Sequence, residues 1–201
     1  MSREVWSIQT VSTGQSRIHI LAIFDPSCDT AKITGVLGRC GITQGHGDAE
    51  ATCASELIDN VIEIIHSEGG VAIPAHIDRA KGLLHGITNT NQEIERWISK
   101  LESAEFIDLN FLDTVNPELA KACSHLAKVQ GSDAHECSRL GTQYSWIKMS
   151  QPSIGGLKLA LHDHDFCVEN CIDDPNSTPD LFLKSLNISK MQHCGRIPDQ
   201  P

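Results

Sequence analysis

The chain reads as an α/β protein built on a mostly parallel sheet, open or closed into a barrel. Three observations predict this. Short apolar runs of strand length alternate with segments whose apolar residues recur at helical spacing. Gly, Pro and Asn punctuate the junctions where helices start and stop. Histidines and an aspartate stand in or just after several of the apolar runs, which suits the C-terminal rim of a parallel sheet.

The elements follow in order. Arg17 to Phe24 is a strand closed by Asp25 and Pro26. Ala49 to Ser67 is a helix, with Leu57, Val61, Ile64 and Ile65 on one face and a Gly69-Gly70 stop. Gly70 to Ala75 is a strand, Asn91 to Leu101 a helix, and Glu105 to Leu109 a strand. Asn116 to Ala122 is a helix, opened by Asn as N-cap and Pro in the first turn. Ala127 to Gln130 and Tyr144 to Met149 are strands, and Pro152 to Leu161 is a helix. Composition shifts after His164. Residues 1–164 are expected to form the domain, and 165–201 a C-terminal extension or linker with one short element near Leu181 to Ile188.

The bulk numbers fit one soluble globular domain: 201 residues, 40% hydrophobic and 21% charged. A net charge of -10 argues against a broad basic face for nucleic acid. A phosphate substrate stays open, because bound metal ions would supply local positive charge. No apolar run is long enough to span a bilayer, and the start lacks the apolar core of a secretion signal, so a cytoplasmic protein is expected. The eight cysteines then read as reduced thiols. Cys167 and Cys171 form half of a zinc site only if His193 and Cys194 complete it; free thiols are the simpler reading.

Three places carry chemistry. Asp133 and His135, in Gly-Ser-Asp-Ala-His, are two apart after a strand-like run, so in extended backbone they point the same way and can chelate one ion. The alternative is a polar turn. His76 closes the apolar strand before it, with a hydrogen-bonded turn histidine as the alternative. Asp78 and Arg79 follow; Arg79 pairs with Asp78 or anchors a phosphate. His19 sits inside an apolar strand and needs a partner, a metal or a carbonyl, to offset its desolvation. Together the three suggest one shared site where strand ends converge. Imidazoles with carboxylates suit zinc, manganese or iron better than magnesium or calcium.

The order HILA, GGVAIPAH, GSDAH, LGTQYSWIKM and GLKLAL resembles the PHP (polymerase and histidinol phosphatase) domain family, closest to the PHP domain of TrlF-like ATPase-fused proteins. The likeness runs from Glu4 to Asp163, about four-fifths of the chain. It implies a distorted (β/α)7 barrel holding two or three divalent metal ions and hydrolysing phosphoesters. Metal ligands carried over by this resemblance are Glu4, His19, His76, Asp133 and His135, of which His76, Asp133 and His135 are also the implied catalytic residues. Arg79 or Arg139 would bind the substrate phosphate. Position 3 is Arg where the family's Gly precedes the Glu. The family's first motif, an H-x-H upstream of Glu4, has no counterpart, so the barrel is expected to be incomplete at its N-terminus. The single H-x-H, His162-Asp163-His164, lies beyond the last helix and is expected to decorate a helix end.

The implied substrate is a phosphate ester, a nucleotide or nucleic acid among them, with an ATPase module as partner in full-length relatives. A non-catalytic, truncated PHP-like remnant acting as a binding or regulatory module is the alternative. An amidohydrolase on a related barrel is a third reading, disfavoured by GSDAH and the early HILA histidine.

Overall fold

A computed structural model describes residues 5–12, 15–42, 54–134 and 136–170, with side chains from residue 18 onward. Strand β1 (Val5–Ser12) and strand β2 (Gln15–Ile23) form an antiparallel hairpin, and strand β3 (Val71–Pro74) pairs antiparallel with the other edge of β2. Two residues separate β1 from β2, and so short a link can join only antiparallel neighbours. The sheet is therefore antiparallel here, where the alternation of elements predicts parallel strands. Strands β4 (Ser103–Glu105) and β5 (Ala127–Val129) do pair in parallel, across an intervening helix. Strands β6 (Trp146–Ile147) and β7 (Val168–Glu169) make a short antiparallel pair.

Four of the helices open on a side-chain cap. In α1 (Thr30–Arg39) the Asp29 carboxylate accepts the Lys32 N–H at 2.8 Å. Helix α2 (Ile58–Ser67) buries Ile58, Val61, Ile62 and Ile65, one face at i, i+3, i+4 and i+7. It starts at Ile58, later than the predicted Ala49, and Leu57 just before it is 47% exposed. Residues 49–53 lie outside the described residues. Asn91 caps α3 (Gln92–Ile98), Asn116 caps α4 (Pro117–Ala122) and Ser153 caps α5 (Ile154–His162). A short α6 (His164–Cys167) follows. The segment after residue 164, expected to leave the domain, thus first contributes α6 and β7; residues 171–201 lie outside the described residues.

Alternation along β2 sorts its side chains onto two faces. Ile18, Ile20 and Ala22 join the larger apolar cluster, with Ile62 and Ile65 of α2, Trp97 and Ile98 of α3 and Leu119 of α4. Leu21 and Ile23 pack on a smaller cluster of Val71, Ile73, Ala127, Val129 and Leu161 of α5. Sheet residues are thus covered on both faces, and His19 falls on the face shared with Leu21 and Ile23.

The strand predicted over Glu105 to Leu109 is displaced: it spans Ser103–Glu105 and stops there. The cause is Asp78, whose buried carboxylate accepts the N–H groups of Ile107 at 3.0 Å and Asp108 at 2.9 Å. Those donors are then unavailable to a ladder. Among the described residues, no helix is long and apolar enough to cross a membrane.

Candidate metal centre

His19 is carried by β2 and His76 by the turn after β3. Their backbones are stitched together by an Ala75 N–H to His19 carbonyl bond of 3.0 Å. The rings meet edge to face, with centroids 5.1 Å apart and planes at 67°. His76 Nε2 lies 3.2 Å from His19 Nδ1, across 57 positions of sequence. Two chemistries fit that separation. One ring can donate a hydrogen bond to the other. Alternatively, two nitrogens each about 2.0–2.1 Å from a shared ion and 3.2 Å apart subtend an angle of about 100° at it, between octahedral and tetrahedral values.

His76 is nearly buried, and its Nδ1 has no hydrogen-bond partner among the described residues. A buried polar atom left in that condition costs about 1–3 kcal/mol, and such exceptions call for a functional reason. His76 also holds φ of 33°, in the left-handed region that side chains with a Cβ avoid. Asp133 is the second expected ligand with such a backbone, at φ 41°. Strained residues of this kind gather at ligand clamps. Asp133 itself is therefore not in the extended backbone that the spacing predicts, and its companion His135 lies outside the described residues.

Glu105, at the end of β4, is the residue that sequence reasoning missed. Its Oε2 accepts the His76 backbone N–H at 2.8 Å, and its own carbonyl accepts the Ile77 N–H at 2.8 Å. Burial raises the carboxyl above the ordinary carboxylate range. The hydrogen bond from His76 and the nearby imidazole oppose that rise, while the charges of Asp133 and Asp78 add to it. The strand predicted over Glu105 to Leu109 has Glu105 at its start rather than at its end, and no local signal marks its role.

The remaining expected residues divide. Arg79 Nε lies 3.6 Å from the Asp78 carboxylate, so it pairs with its neighbour. Arg139 stands exposed on the short 3-10 turn Cys137–Arg139. Glu4 and His135 lie outside the described residues, as do Cys171, His193 and Cys194 of the considered zinc half-site. His162 ends α5 and His164 opens α6, so the H-x-H does decorate a helix end, with His164 Nδ1 3.3 Å from Asp165. Among the described residues, no group of three or more His, Cys, Asp or Glu side chains is disposed to hold a metal ion. The imidazole pair, the orphaned Nδ1 and the adjoining carboxylates nonetheless suit a divalent ion in donor chemistry.

Comparison with known protein families finds no match, and none is found among curated proteins.

Proposed function

We propose that this chain is a PHP-type, metal-dependent phosphoesterase domain on a distorted (β/α)7 barrel. His19, His76 and Asp133, with Glu4 and His135, hold divalent zinc, manganese or iron. A bound ion of this kind lowers the pKa of water and neutralises phosphate oxygens. The substrate is a phosphate ester, with nucleotides and nucleic acid in its class, and the setting is cytoplasmic. Arg79 or Arg139 meets the substrate phosphate, and an ATPase module is the partner in longer chains.

One observation carries the reading: the 3.2 Å approach of His76 Nε2 to His19 Nδ1. Hydrophobic burial alone gives no reason to bring two imidazoles together in a strand end. In this reading His19 and His76 orient the ion from two strands, and Glu105 and Asp78 fix the backbone beneath His76. The test is metal content after purification, together with turnover of a generic phosphomonoester and phosphodiester. Stoichiometric metal, with turnover abolished by His76→Ala in a protein that still folds, is expected. Absence of both metal and turnover favours the non-catalytic module instead.

A further inference from the structure

Two carboxylates clasp the segment 76–78 to the segment 105–108 from opposite sides. Asp78 reaches across to the N–H groups of Ile107 and Asp108. Glu105 reaches back to the N–H of His76. The clasp spans 29 positions of sequence and holds His76 at a φ its side chain does not favour. The second oxygen of Glu105 faces the loop after β5. A Cβ placed on Gly131 would lie 2.1 Å from Glu105 Oε1, so the carboxylate rests against bare backbone and would have to shift for any larger residue there.

From this we propose that Glu105 is a positioning residue: one oxygen aims the His76 ring at His19, and the other seats the loop after β5, which carries Asp133. The proposal rests on reading the site as metal-holding, and it assigns Glu105 no bond to the ion. Orientation by an outer partner needs an acceptor at the right distance and does not need a negative charge. Simple charge neutralisation has the opposite requirement, and direct ligation needs both the charge and the reach.

Two conservative variants separate these. Glu105→Gln keeps the length and an acceptor oxygen but loses the charge; Glu105→Asp keeps the charge but withdraws it by one methylene. Cobalt(II) alone is the probe, titrated into the full chain and followed by its visible absorption. Glu105→Gln should bind within about threefold of the parent with the same band shape, whereas Glu105→Asp should weaken by roughly 10–100-fold with an altered band. A second readout needs no metal. Amide hydrogen exchange at His76 should quicken roughly tenfold or more in Glu105→Asp and stay near the parent rate in Glu105→Gln. Where Glu105→Asp unfolds, Gly131→Ala, whose Cβ drives the carboxylate off its seat, replaces it with the same expected losses. The proposal is overturned if the shortened variant matches the parent in both readouts, or if Glu105→Gln loses as much as Glu105→Asp. Should the parent take up no cobalt, the metal reading fails, and exchange at His76 alone upholds or overturns the role of Glu105.

Discussion

Gly82 closes the tight turn that starts at His76, and replacing it with alanine tests whether that turn is rigid. An added Cβ would lie 2.1 Å from the His76 carbonyl oxygen and 2.7 Å from the carbonyl carbon and oxygen of Ile77. Ordinary contact begins near 3.4 Å, so the turn must open by about 1.3 Å. The obstacles are backbone, and that backbone is pinned. Gly82 N–H donates to the Arg79 carbonyl at 2.8 Å, Leu84 N–H to the Ile77 carbonyl at 2.9 Å, and His76 N–H to Glu105. The clashing atoms are main chain, so no rotamer change relieves them, and any shift strains these bonds. Overpacking costs about 1–3 kcal/mol, and an orphaned buried backbone group adds a term of similar size. Gly82→Ala should therefore destabilise by about 2–4 kcal/mol, seen as a lower urea midpoint at unchanged slope. A loss under about 0.5 kcal/mol, the range of an ordinary surface change, would show that the turn yields freely and that His76 is not held as described.

Two further outcomes follow from the same geometry. Asp78→Ala leaves two backbone donors without their acceptor and should cost at least about 2 kcal/mol in urea unfolding, with Asp78→Asn, which keeps one acceptor oxygen, intermediate; equal stability of all three proteins would contradict the clasp. Burial pushes the Cys40 and Cys123 thiols up to about 11, so both should resist alkylation at pH 8 while exposed Cys137 reacts, read by mass spectrometry with and without denaturant. The sign for stability is set by the same shift: the folded chain holds these protons more tightly, so stability present below pH 9, the ordinary thiol value, should fall as pH rises towards 11.

His19 and His76 were legible because a titratable ring in or closing an apolar strand has few ways to satisfy itself, and the structure brings the two into contact. Capped helices were equally legible: Asn116 followed by Pro117, and Asn91 before an amphipathic run, mark their own starts. Helix α1 went unread, since Gly35 and Gly38 dilute its apolar face to Ile33, Val36 and Leu37. Strand β1 was missed because its worth lies in pairing with β2, a contact that spacing does not reveal. Glu105 was hidden for a related reason. Its role depends on a backbone N–H supplied 29 positions earlier and on a glycine after the next strand, and neither leaves a local pattern. Strand direction was misjudged from the alternation of elements, which constrains a crossover such as β4 to β5 but not a hairpin.

The mutual clasp of Asp78 and Glu105 also partitions the polypeptide. Arg79 to Glu102 leaves and returns through this cross-brace, and its own Leu83, Leu84, Trp97 and Ile98 pack back into the core beside β2, with the Lys81 carbonyl accepting the His19 N–H at 3.3 Å. Length is therefore tolerated at its exposed tip alone: the stretch around Asn89, just before the Asn91 cap, is where a graft, a tag or a natural expansion would be absorbed.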